Sequence, residues 1–247
     1  MRKIIFALYL FLIAICFASF KNAQTFEPIA VIELFTSQGC SSCPPADKLL
    51  TQTIRDANSN GKKIFALSFH VDYWNRLGWA DPFSDKKYSQ RQSDYVSALN
   101  LNGAYTPQMI VNGSTQFVGS DKSSLDNTLA NAFQTKATAN FKTLSATFEE
   151  CKAPHIHYEL EGDFTDCKIN FALVSLTETT IVKRGENSGR TLVNENVVRQ
   201  FISKPATSSG EIDFAVSPLS AKNNCAIIAY IQHSNRKIST AACAVIN

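Results

Sequence analysis

Cys40 and Cys43 stand two residues apart in FTSQGCSSCPPADKLL, residues 35–50. Thiols at this spacing can close a permanent bridge, hold a soft metal ion, or cycle between dithiol and disulfide. An apolar run before them, PIAVIELF (28–35), reads as a buried strand with Glu33 as its odd member. After them, Ala46, Leu49, Leu50, Ile54 and Ala57 recur at helical spacing until Asn58-Ser59-Asn60-Gly61 breaks the pattern. Pro44 and Pro45 fit a helix that starts near Ser41, because a first turn needs no internal N–H donors. Cys40 then sits at the front of a helix, where backbone amides and the helix dipole favour the thiolate. Cys43 follows one turn later, within reach of a disulfide. The spacing therefore predicts a working dithiol in which Cys40 attacks and Cys43 resolves. That chemistry requires Cys40 to be reachable.

Thr106-Pro107 precedes a predicted strand and follows a predicted helix. A cis-proline there would bring its loop beside the dithiol, offer backbone groups to a substrate chain and shield the sulfurs from metals. Glu33, on the strand beneath the pair, could shuttle a proton to or from Cys43. The rival chemistry is a metal site: Cys40, Cys43 and His70 could together hold Cu(I), as in an exported metallochaperone. No cofactor is called for. His155 and His157 share one strand face without an evident third ligand, which fits a solvated face.

The elements that must position these residues follow. KKIFALSFHV (62–71) is a second apolar strand, and DYWNRLGWADPF (72–83) an aromatic loop. Tyr73, Trp74, Trp79 and Phe83 in that loop either line a groove over the dithiol or fill a seam between domains. Ser84 can cap a helix running to Leu99. Strands Gln108–Val111 and Thr115–Val118 are joined at Asn112-Gly113, a hairpin signal. Ser120 or Asp121 can cap a helix that carries Leu125, Leu129 and Phe133. The order is β-α-β-α-β-β-α over about 28–138. From Phe141 onward, short alternating runs predict an all-β sandwich, so the expected units are 24–140 and 141–247. Arg184-Gly-Glu-Asn-Ser-Gly-Arg190 reads as a solvated polar turn, with an interdomain contact through Arg190 or Arg199 as the alternative.

The 247-residue chain is 45% apolar and 18% charged, ordinary globular values. Its start is different: Arg2 and Lys3 precede an uncharged run from Ile4 to Phe20, with small residues at Ala18 and Ala23. This predicts a secretory signal peptide over residues 1–23, with an uncleaved membrane anchor as its rival. Without Arg2, Lys3 and Lys21 the 24 basic residues fall to 21, against 21 acidic ones. Balanced charge gives no electrostatic case for nucleic acid or an acidic membrane surface. Any membrane contact would run through the N-terminal segment. Seven cysteines less Cys16 leave six in a compartment that permits disulfides. For the last four, pairing 151–167 with 225–243 ranks first of three possibilities, the second because Cys225 and Cys243 are nearly symmetric about Ser234-Asn235.

These residues carry a resemblance. Residues 28–138 are similar to the thioredoxin fold, with Cys40-Ser-Ser-Cys43 in the place of its redox motif. Tyr105-Thr106-Pro107-Gln-Met-Ile-Val-Asn-Gly resembles that family's cis-proline segment, and Glu33-Leu34-Phe35 its acid-aromatic stretch, one residue further from the first cysteine. Through ELFTSQGCSSCPPADKLL, SFHVDYWNRLGWADPFS, YTPQMIVNG and RGENSGRTLVNENVVR, the chain is also identified as a member of a family of exported bacterial proteins of unknown function. The first likeness implies a thiol–disulfide oxidoreductase, and the N-terminal segment would place it in the periplasm or outside the cell. Its partners would be exported thiols or disulfides and a further redox protein. A non-catalytic binding module on the same fold is the other implication.

Overall fold

A computed structural model of the chain describes residues 24–147, 154–214 and 224–245. Its first part runs β1 (Ala30–Thr36), α1 (Pro44–Asn60), β2 (Ile64–His70), a 3-10 turn (Asn75–Leu77), α2 (Lys86–Ala98), β3 (Gln108–Val111), β4 (Thr115–Val118) and α3 (Lys122–Ala132). Seven strands follow: β5 (Ala139–Thr147), β6 (His155–Gly162), β7 (Lys168–Ile181), β8 (Thr191–Pro205), β9 (Ser209–Asp213), β10 (Cys225–Gln232) and β11 (Ile238–Val245).

The expected thioredoxin-like α/β domain followed by a separate all-β sandwich is not what forms. Eight strands make one mixed sheet in the order β11-β10-β7-β8-β2-β1-β3-β4, and β5, β6 and β9 make a small second sheet. The two halves of the chain meet where β2 and β8 run parallel, with Ser68 opposite Val197. Strand dominates, and only three α-helices occur among the described residues. The physical reason is that apolar alternation reports which side of a strand is buried and says nothing of its neighbour. β7 had the clue: it is buried at every position from Ile169 to Ser175, as a strand covered on both faces must be.

One face of the large sheet carries Val31, Phe35, Phe69, Ala172, Val198, Ile228 and Tyr230 and packs against Tyr88 and Tyr95 of α2. On the other face, Ile32, Leu34 and Met109 meet Ala46 and Leu50 of α1 and Leu125 of α3. That same face, further along, sets Phe171, Ile227 and Ala229 against Ile156, Tyr158 and Ile212 of the small sheet. At about 25 cal/mol per Å² of apolar surface, these three clusters are the main favourable contribution to folding.

Parity along the strands also decides the cysteines. Cys243 pairs with Ile228 across the β10–β11 hairpin. Cys225 packs with Ile227 on the opposite face. A 225–243 bridge would have to pass through the sheet. Residues 1–23 and Cys151 lie outside the described residues, and no described helix is long and apolar enough to cross a membrane.

Candidate active site

β1 ends at Thr36, and Ser37 to Ser42 turn the chain into α1. The helix begins at Pro44, later than its expected start, with the two prolines in its first turn and Cys43 as N-cap. The Cys43 amide donates to the Cys40 carbonyl at 3.2 Å, and the two side chains form a disulfide with Cα atoms 5.4 Å apart. Cys40 Sγ lies 3.2 Å from Ser42 Oγ and 3.9 Å from the Thr106 carbonyl oxygen. The Thr106–Pro107 bond is cis. Cys40, Cys43 and Thr106–Pro107 are therefore together. Reachability is another matter: both cysteines have 0% exposure.

Glu33 is not brought to them. It belongs to the α2 face of the sheet, whereas α1 covers the other. There its carboxylate accepts two 2.7 Å hydrogen bonds from Arg91, a third from Tyr95 at 2.8 Å and a fourth from Tyr230 at 3.1 Å. Arg91 lies 4.6 Å over the Phe201 ring. This is a closed ion pair that ties β1, α2 and β10 together.

The acid on the α1 side is Asp47, one turn after Cys43, whose amide donates to the Cys43 carbonyl at 3.1 Å. Neither Asp47 Oδ1 nor the nearby Thr36 Oγ1 makes a hydrogen bond of good geometry, although both are buried. Burial pushes the Asp47 carboxyl up to about 6, against an opposing pull from the His70 charge.

His70, at the end of β2, is bonded through Nδ1 to Asp81 Oδ2 at 2.7 Å, and its Nε2 lies 3.4 Å from Ser68 Oγ. Burial alone would lower the His70 pKa, but the charge and hydrogen bond of Asp81 outweigh it and raise the imidazole. The same pairing overcomes burial at Asp81 and lowers its carboxyl. His70 is thus committed to Asp81, while Cys40 and Cys43 are bonded to each other. Among the described residues, no three His, Cys, Asp or Glu side chains are placed to hold a metal ion.

Sequence reasoning missed Gln38, Asp47, Asp81, Glu186 and Asn187. The Gln38 amide donates to Asp81 Oδ2 at 2.8 Å, and its side chain donates to Asn194 and accepts from Trp79 Nε1. Trp74 Nε1 donates to Thr106 Oγ1 at 2.7 Å, so both tryptophans anchor the loops around the disulfide. The 184–190 turn is exposed but anchored through its one buried residue: Asn187 Nδ2 donates to the carbonyls of Gln38 and Cys40, both at 2.9 Å. Glu186 Oε2 accepts from the Ser41 amide at 2.9 Å. Arg190 supports Asn187 from behind, while Arg199 goes to Glu178 instead. Only Asp47 had a usable signal, its i+4 spacing from Cys43.

A family profile described as "Protein of unknown function (DUF1223)" matches residues 31–232. The chain belongs to this family. No curated protein matches it. The crystal structure of a protein from Agrobacterium tumefaciens is 28% identical with a TM-score of 0.64, covering 90% of this chain and 96% of that one. A domain of the outer membrane lipoprotein Omp28 from Porphyromonas gingivalis is 16% identical over 45% of this chain and 89% of its own, with a TM-score of 0.28. For this member of the family, the Cys40–Cys43 disulfide at C-x-x-C spacing is compatible with redox chemistry.

Proposed function

We propose that the chain is an exported thiol–disulfide oxidoreductase acting on protein or small-molecule thiols through Cys40 and Cys43. One observation carries this reading: a C-x-x-C disulfide at a strand-to-helix junction, with Cys40 Sγ 3.9 Å from the carbonyl of a cis Thr106–Pro107 loop. A substrate thiolate bonds to Cys40 Sγ, the Cys40–Cys43 bond breaks, and Cys43 leaves as a thiolate. A second substrate thiol then displaces Cys40, so the substrate gains a disulfide while the protein gains two thiols. Run backward, the same steps reduce a substrate. Asp47 supports the scheme as the buried acid one turn from Cys43, holding its proton more tightly than an exposed carboxyl and so able to give it to the leaving sulfur. Export rests on Arg2-Lys3 and the uncharged stretch from Ile4 to Phe20.

The test is exchange with a disulfide-containing substrate under glutathione, with the reduction potential measured by equilibration. Cys40→Ser is expected to abolish exchange, and alkylation of the reduced protein to give Cys40 a pKa below that of a free thiol. Unchanged exchange in Cys40→Ser, with an ordinary thiol pKa, refutes the assignment.

A further inference from the structure

Neither sulfur of the pair reaches solvent, yet exchange needs an attacking group in line with the bond. The segment that lies over the C-x-x-C turn comes from far away in the chain, the connection between β7 and β8. Two of its side chains fasten it, and its backbone at Gly185 packs against the Gly78–Trp79 loop. Glu186 accepts from the Ser41 amide, and Asn187 donates to the carbonyls of Gln38 and Cys40. Every residue from Lys183 to Arg190 except Asn187 is exposed. Only the Glu186–Ser41 bond is solvent-exposed; the two Asn187 bonds are buried, so opening the segment breaks one exposed and two buried hydrogen bonds. Gly185 at φ +78° and Gly189 at φ +80° bracket its tip, the kind of positions that absorb a backbone change. The other neighbours of Cys40 are fixed more firmly. Trp74 packs on the α2-side core, and the Thr106 loop is held by Gln92 through the Tyr105 carbonyl.

We infer that residues 183–190 form a lid that must lift before the Cys40–Cys43 disulfide can react, with Glu186 and Asn187 as its latches. This deepens the dithiol reading and rests on that pair being the reactive group. Lifting also frees the Ser41 amide, which then stands ready as a donor to a thiolate on Cys40. A lid latched by a carboxylate keeps that amide occupied until a substrate arrives.

The experiment reads a stoichiometric step and needs no catalysis. The oxidised protein is treated with a neutral phosphine, tris(hydroxypropyl)phosphine, and free thiols are trapped by alkylation and counted by mass. The phosphorus attacks Cys40 Sγ, the disulfide bond breaks and Cys43 leaves as a thiolate. Water then supplies the oxygen of the phosphine oxide and the protons of two thiols. Glu186→Ala, at an exposed side chain, should speed reduction at least about tenfold, the factor that one lost hydrogen bond to a charged group can give. Asn187→Ser should speed it as well, and amide exchange at Gly189, which donates to the Val182 carbonyl, should rise in both variants. Wild-type reduction rates in both variants overturn the lid. Faster reduction in Glu186→Ala beside undiminished exchange in Cys40→Ser keeps the lid and removes the enzyme reading; the opposite pair of results does the reverse.

Discussion

Asp47→Asn in the oxidised protein isolates the buried acid one turn after Cys43. In the folded chain burial pushes the Asp47 carboxyl up to about 6, against 3.8 for an unhindered one. A pKa raised by folding means that the native state holds the proton more tightly than the unfolded state. The stabilisation is therefore complete below about pH 4 and is lost as pH rises toward about 6. Each tenfold in proton affinity is worth about 1.4 kcal/mol, so the loss across that window approaches about 3 kcal/mol. Asparagine has nearly the same shape and no proton to lose. Urea unfolding of both proteins at several pH values between about 3.5 and 6 should show the variant gaining on the wild type by about 2–3 kcal/mol. Asp47 is itself one of the charges that raise His70, so the comparison is read below about pH 6, where His70 stays protonated in both proteins. A difference that stays constant from about pH 4 to 6 would refute the raised carboxyl, and with it the proton source proposed for Cys43.

Arg91→Ala strands the Glu33 carboxylate, which has 0% exposure, and should cost about 3–5 kcal/mol in urea unfolding, with the double variant Glu33→Gln/Arg91→Met recovering most of it. A loss below about 1 kcal/mol would show that the pair does not bind β1, α2 and β10 together. Asp81→Asn removes the partner of a His70 whose pKa is raised, a stabilisation that is full below about pH 6.5 and lost as pH rises through the folded-state value. The variant should therefore cost more near pH 6 than near pH 9 in the same unfolding assay, and a cost independent of pH would contradict the ion pair.

Local structure was far more legible than assembly. Asn112-Gly113 marks the β3–β4 turn, and the Leu125/Leu129 spacing marks α3, because turn chemistry and helical period are written in adjacent residues. Asp121 caps α3 through the Ser124 amide, as a residue of its type can. The pairing of Ser68 with Val197 has no such local mark, so the single sheet was invisible. Glu33 was misplaced because strand position alone does not say which face meets α1; its neighbours Val31 and Phe35 settle that only once α2 is seen to cover them. The symmetry drawn about Ser234-Asn235 failed because the hairpin shifts register between Ile231 and Gln232, which moves the axis and sends Cys225 and Cys243 to opposite faces.

The fastening of Asn187 to the Cys40 carbonyl spans 147 positions of sequence. A chain that emerges from synthesis or translocation N-terminus first delivers Cys40 and Cys43 long before the segment that covers them. During that interval the two thiols stand bare to whatever oxidants and thiols surround the nascent chain. Sealing them therefore waits at least until residues 183–190 have emerged, which ties the end of that open interval to the progress of the chain itself.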